Sequence, residues 1–426
     1  MLLVAIAFVV LLLMGMPVAF AIGIAGALFF VQHPELPFTI PVQVSLSQTQ
    51  NFALLAVPMF IIAGNLMNRS GITGRLLELA TVLTGRLKGG LAQVSIALSA
   101  LMGGVSGSAI ADAAMQSRML GEAMVGHGMS RGFVAGVISF SAILTPIIPP
   151  GIGMILYGSI GQVSIGRLFA AGFLPALLLG VGLSLAVWLT ARRRGYAPER
   201  TAAPTVREVA RAFRLGIWAL LFPVFLLLGL RAGVFTPSEI GAFAVVYAVL
   251  IGALVYREMG ARSFLEAIET SLSDVGAVMF LIALSAIFSY GIVFERVPAT
   301  VSGWILGVTD QLTVALVLIV VLVLALGFVI DATVLIIMLT PIFLPLVRGL
   351  GGDPVHFGIV FIVAATIGNF TPPVGAAMYS VCTILKCSIG EYTRESILLF
   401  AAVAIVTLVL VFVPGLVLFL PNLVFG

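Results

Sequence analysis

The chain has 426 residues, 61% hydrophobic and 9% charged, with a formal net charge of +4 and a mean hydropathy of +1.24. A soluble domain carries about 25% charged residues, so this composition excludes a soluble globular protein and makes the lipid bilayer the solvent of most of the chain. The positive excess gathers in loops, above all as Arg192, Arg193, Arg194, Arg200, Arg207, Arg211 and Arg214; that is a topology signal and gives no nucleic-acid-binding role.

In chain order, the opening Met1-Leu2-Leu3-Val4 has no basic stretch and no small-residue cleavage site, so it reads as the start of a retained helix. Apolar runs long enough to enter lipid cover 2–14, 16–32 and 51–68, and Gly15-Met16-Pro17 either separates two short helices or bends one long tilted one. The region 90–125 is interrupted near 103–112 by glycines, serines and an aspartate, and reads as a re-entrant helical hairpin. Spans 131–158 and 168–191 complete a first repeat, 1–191. A basic cytoplasmic linker, 192–212, leads to a second repeat, 213–426, with spans 213–230, 239–256 and 263–290, a hairpin over 312–347 interrupted near 327–331, and spans 356–386 and 397–421.

The two repeats match at four places in the same order. Asp112 answers to Asp331, Thr145-Pro146 to Thr371-Pro372, and Ser164-Ile165-Gly166 to Ser388-Ile389-Gly390. Upstream, Phe60 and Gly64 answer to Ile287 and Gly291, each ahead of a short amphipathic stretch, 71–84 and 298–308. Each repeat then holds five spans and one hairpin, and an odd number of spans turns the second repeat upside down. With the basic linker inside, 16 Lys and Arg fall on the cytoplasmic side against four outside (Arg167, Arg231, Arg296, Arg348), Arg118 lying in a hairpin; both termini are then periplasmic. The fold class is an all-α polytopic membrane protein with an inverted-topology repeat.

Two stretches break their helices alike, over 145–151 and 368–375. In Thr145-Pro146-Ile147-Ile148-Pro149-Pro150-Gly151 and in Thr371-Pro372-Pro373-Val374-Gly375, prolines remove the amides an α-helix needs. Peptide groups left unpaired in hydrocarbon cost several kcal/mol, roughly, unless something polar meets them. Paired breaks at corresponding places in two halves point to a transporter's binding site near the membrane midplane.

Candidate site residues follow. Ser106, Gly107 and Ser108 in Gly103-Gly104-Val105-Ser106-Gly107-Ser108 offer hydroxyls and turn carbonyls of the kind a hard cation needs, and a helix starting after the turn offers amides to an anion; tight packing by small residues explains them equally well. Asp112 and Asp331 are ionisable groups at membrane depth and admit three roles: ion ligand, proton carrier, or pin for the hairpin. Gly327 and Thr333 flank Asp331. Thr145, Pro149 and Pro150 form one break, and Gly368, Asn369, Thr371, Pro372 and Gly375 the other. Asn65 reaches the same cavity or makes a plain interhelical hydrogen bond. Sodium candidates are Ser106, Ser108, Asp331 and Thr371. Asp274 and Glu266 read as a helix end near the interface, and His33, His127 and His356 as solvated loop residues. Cys382 and Cys387 read as bland buried thiols. There is no Walker sequence, His-Glu-x-x-His or Ser/Lys pair, so the chain is not read as an enzyme.

Together, the run Gly103 to Asp112, Ile148-Pro149-Pro150, Tyr157-Gly158, Asp331 with Thr340-Pro341-Ile342, and Thr371-Pro372-Pro373-Val374-Gly375 resemble the large membrane subunit of tripartite ATP-independent periplasmic (TRAP) transporters, over essentially the whole chain. One departure is Gly151, where the family pattern often has serine after Pro-Pro, which leaves no hydroxyl ligand there. The resemblance implies a sodium-driven importer of carboxylate-bearing solutes in a bacterial or archaeal inner membrane, working as an elevator, with sodium as coupling ion and no cofactor. It implies two partners, a small four-helix membrane subunit and a periplasmic substrate-binding protein. A stand-alone ion-coupled carboxylate carrier is the alternative within transport; outside it stands an assembly protein whose glycines only pack helices.

Overall fold

The structure is a computed structural model describing residues 1–373 and 375–426; Val374, part of the second predicted break, lies outside the described residues. Helices α1 (Leu2–Leu13), α2 (Val18–Gln32), α3 (Ile40–Thr49), α4 (Ala56–Arg69) and α5 (Ile72–Thr84) lead to a hairpin of α6 (Leu91–Gly103) and α7 (Ala109–Met119). Short α8 (Gly121–Gly126), then α9 (Arg131–Ser141), α10 (Ile152–Gly161) and α11 (Ile165–Arg194) close the first half. The second runs through α12 (Val206–Arg231), α13 (Pro237–Leu250), α14 (Ala261–Phe294) and α15 (Val297–Val308) to a hairpin of α16 (Leu312–Gly327) and α17 (Ala332–Gly349). It ends with α18 (Pro354–Asn369), α19 (Ala376–Leu385), α20 (Ile389–Phe412) and α21 (Pro414–Phe425).

Among the described residues, seven helices are long and apolar enough to cross a membrane: α4 with its 3-10 leader, α11, α12, α13 with its π-turn extension, α14, α17 and α20. The arms α6 and α7 have 13 and 11 residues, which at ~1.5 Å per residue stop short of a bilayer core of ~30 Å. They run antiparallel, since Ser95 bonds Gln116 and Ser99 bonds Asp112 across the hairpin. Gly15 turns left-handed and Pro17 caps α2, so the N-terminal run is two helices. The single span expected over 397–421 is instead two helices, because Pro414 has no amide to continue α20.

Between the hairpin tip and the second break the halves repeat with a constant displacement, and it corrects the expected register. Helix caps at Ser108 and Asp331, and at Ser130 and Asp353, are 223 positions apart, as are the Pro-Pro pairs ending at Pro150 and Pro373. Asp331 therefore answers to Ser108, not to Asp112, and Thr145 to Gly368, not to Thr371. Serine and aspartate exchange freely at a cap because either oxygen can accept a first-turn amide. One residue is gained at the second break, so Ser164 and Ser388 stand 224 apart; both cap their helices, accepting from Arg167 N and Glu391 N.

The halves also interlock. α2 of the first packs on α14 of the second, and α13 of the second on α4 of the first. A Cβ added at Gly26 would lie 2.9 Å from Phe288 N on α14, and one at Gly241 2.9 Å from Met59 Cβ on α4, so a small residue permits each close crossing. Closer in, α9 packs on α20 and α18 on α11. Polar contacts divide between two ends. One end joins Arg69 to Glu266, Arg75 to Glu258, Arg131 to Glu122 and Arg194 to Glu395; the other joins Arg167 to Asn422 and Arg348 to the Gly161 carbonyl.

His356, expected in solvent, is buried. Asp353 caps α18 through Val355 N and His356 N, which starts the helix earlier than expected and draws the ring inward. Nε2 then lies 2.8 Å from the Leu410 carbonyl, the group whose helical partner Pro414 lacks. His33 is half-buried against Phe29, and His127 is solvent-exposed as expected.

Candidate functional site: a cavity between hairpins and helix breaks

Each hairpin tip abuts its own break. Gly107 takes a left-handed φ of 60°, and a Cβ there would lie 2.4 Å from the Pro150 carbonyl; only glycine lets the first turn approach so closely. In the second half Gly375 donates its N–H to the Phe328 carbonyl at 2.7 Å.

The tips and breaks enclose a cavity of about 470 Å³. Its inner wall comes from Ser106, Gly107, Ser108 and Ala109 of the first hairpin, Pro146, Ile152 and Gly153 of the first break, Asp331, Ala332 and Thr333 of the second hairpin, and Thr366 and Asn369 of α18. Its outer wall is Gly64, Asn65 and Asn68 on α4 with Asp274, Ala277 and Val278 on α14. The N-termini of α7, α10 and α17 all reach this wall, bringing the positive ends of three helix dipoles to one space.

Ser106 is the only described wall hydroxyl that is buried without a hydrogen-bond partner. The Asn68 side-chain oxygen is likewise buried and unpartnered. Asp331 caps α17 by accepting from Thr333 N at 2.8 Å, and its other oxygen accepts from Asn369 Nδ2 at 3.0 Å. Asn369 Oδ1 accepts in turn from Ala332 N at 3.1 Å, so hairpin and break are tied within the wall itself. Pro150 and Pro373 leave the carbonyls of Pro146 and Asn369 without the amide that would follow in a helix. On the outer side Asn65 Nδ2 donates to Asp274 Oδ2 at 2.9 Å and Ser271 Oγ at 3.2 Å; both sequence readings of Asn65 hold at once.

Of the expected site residues, the wall gathers Asn65, Ser106, Gly107, Ser108, Asp331, Thr333 and Asn369. The others stand behind it. Asp112 is buried among Ser99, Gln116 and Thr145, from whose side chains it accepts hydrogen bonds, and does not face the cavity. Gly327 and Gly368 pack backbone to backbone, a Cβ at Gly368 lying 2.5 Å from Gly327 Cα. The Thr371 hydroxyl donates to the Ile367 carbonyl at 2.7 Å. Pro149, Pro372 and Gly375 shape the breaks without lining the space.

Asp274 corrects the expectation of a helix end. It lies midway along the 34-residue α14 and lines the cavity, whereas Glu266 is at the polar end, paired to Arg69 and Arg262. In the sequence Asp274 closes the polar stretch from Glu266 and precedes the apolar run from Val275, which is why it reads as a helix end. Asn68 and Thr366 carry no sign in the sequence. Cys382 and Cys387 are free thiols. Among the described residues, no group of three or more His, Cys, Asp or Glu could hold a metal ion, and the wall holds Asp274 and Asp331 but no lysine, arginine or histidine.

Comparison with known proteins bears on this arrangement. The model of the tripartite ATP-independent periplasmic transporter family, DctM component, matches residues 5–416. The chain is 32% identical to the 2,3-diketo-L-gulonate TRAP transporter large permease protein YiaN of Escherichia coli, covering 95% of this chain and 94% of that one. It is 32% identical to the sialic acid TRAP transporter large permease protein SiaM of Vibrio cholerae, covering 98% and 97%. With the C4-dicarboxylate TRAP transporter large permease protein DctM of Rhodobacter capsulatus it shares 31% identity, covering 97% of each. Among solved structures the YdaH transporter of Alcanivorax borkumensis, described as having an unusual topology, superposes with a TM-score of 0.60 at 15% identity over 87% of each chain, a likeness of fold.

Proposed function

The chain belongs to the tripartite ATP-independent periplasmic transporter family as its DctM component, a multi-pass membrane protein, and from that premise we propose that it carries a carboxylate-bearing solute inward together with sodium. One observation carries the reading: the cavity wall holds two aspartates and no basic side chain, while three helix N-termini reach it. Such a wall repels a lone anion. An anion accompanied by cations fits, the cations meeting Asp331, the Ser106 hydroxyl and the carbonyls vacated at the breaks, the carboxylate meeting helix amides. One sodium sits by Ser106–Ser108 and the first break, a second by Asp331, Asn369 and the second. Three relatives are named for 2,3-diketo-L-gulonate, sialic acid and C4-dicarboxylates, which supports an acid as cargo.

The cavity lies on the seam between α4 with α14 and the hairpins with their breaks. In the reading proposed here the inner group slides along that seam as an elevator, with the second half inverted relative to the first and both termini periplasmic. A small four-helix membrane subunit and a periplasmic binding protein complete the transporter. The test is uptake of a radiolabelled acid into proteoliposomes holding the complete transporter, with sodium or potassium outside. Sodium-dependent uptake that requires the binding protein is expected; equal uptake in potassium removes the coupling, and uptake without the binding protein makes the chain a stand-alone carrier.

A further inference from the structure

The first hairpin is held in a way the second is not. Asp112 Oδ2 accepts from Ser99 Oγ at 2.7 Å and Thr145 Oγ1 at 2.8 Å, and both carboxylate oxygens accept from Gln116 Nε2. Gln116 Oε1 accepts from Ser95 Oγ at 2.7 Å, which closes the cluster. All five side chains sit behind the cavity. Before the hairpin tip the halves stand 224 apart, Gly103 answering to Gly327 as each packs on its own break, and after it 223, so the second half has Ile319, Val323, Leu335, Leu339 and Gly368 in their places. Helix packing therefore does not demand the polar set; apolar side chains fill the same helix positions in the other half.

What the set joins is specific. Ser99 lies two turns before Ser106, Asp112 one turn after Ser108, and Thr145 immediately before Pro146, and Ser106, Ser108 and Pro146 all line the cavity. We infer that Asp112 is a positioning residue: by joining Ser99, Gln116 and Thr145 it fixes the first hairpin turn and the first break relative to one another, and so sets the spacing of the oxygens that receive the coupling cation in the first half. Removing a buried acceptor leaves its donors unpaired, and a shift below an ångström in a cation cage lowers affinity before it disturbs the fold. The second half needs no such set because Asp331 and Asn369 tie hairpin to break within the wall.

This inference rests on the reading that sodium binds at the cavity wall, and thermal melting of the purified full-length chain in detergent, titrated with NaCl against KCl, separates the two. The variant Ser99→Ala/Asp112→Leu/Gln116→Leu gives this half the apolar interior of the other; Thr145→Val, nearly isosteric, cuts one spoke and serves if the triple variant does not fold. Expected are melting temperatures in KCl close to the parent chain and a sodium midpoint raised by about tenfold for the triple variant, less for Thr145→Val. A sodium midpoint equal to that of the parent chain, whatever the melting temperature in KCl, overturns the positioning role and leaves sodium binding standing. If the parent chain itself shows no stabilisation by sodium over potassium, the sodium reading fails first.

Discussion

Ser106 contributes a buried oxygen that the protein does not use for its own structure. Ser106→Ala should therefore change stability by no more than about 0.5 kcal/mol while raising the sodium concentration for half-maximal uptake; melting and uptake on one preparation check both. Asp331→Ala should do more, because the carboxylate also caps α17 and holds Asn369. It should abolish sodium-dependent uptake and cost about 1 kcal/mol for the lost cap, read from membrane yield and melting. At this scale the sequence is legible where chemistry is local. Ser106, Ser108, Asp331, Thr333 and Asn369 stand beside breakers, and a breaker beside an oxygen is a local pattern. Asp112 misleads because pairing like with like hides the exchange of serine for aspartate at a cap. His356 misleads because its partner, the Leu410 carbonyl vacated by Pro414, is 54 residues away.

At the scale of elements, the breaks were the clearest features of the sequence, since proline's missing amide acts within one turn. The ends of α20 and α21 were less so, because an apolar run looks the same on either side of Pro414. Gly327 and Gly368, expected to serve the site, prove to serve a close backbone crossing. A Cβ at Gly368 would sit against Gly327, so Gly368→Val should force hairpin and break apart at a cost of about 2 kcal/mol or more, with transport lost alongside stability. Ser106→Ala should weaken sodium-driven transport without that cost, and melting curves of the two variants distinguish packing from ligation. Which glycine does which could not be read from composition, because both uses want a missing side chain.

For the whole molecule, the proposed orientation puts Arg69 and Arg194 on the cytoplasmic side and Arg167 on the periplasmic side. With both native cysteines replaced, a single cysteine at Arg193 should resist a membrane-impermeant thiol reagent added to intact cells, whereas one at Glu35 should react; the opposite pattern reverses the proposed orientation. The exchange of α2 and α13 between halves has a consequence for how the protein is made. While the ribosome is still producing α13 and α14, the surfaces of α4 and α2 that they cover remain exposed in the membrane, so the first half cannot finish folding until the second has been inserted. Expressed alone, residues 1–200 should be degraded by membrane proteases, whereas two fragments divided in the loop between α11 and α12 and made in the same cell should find each other and persist.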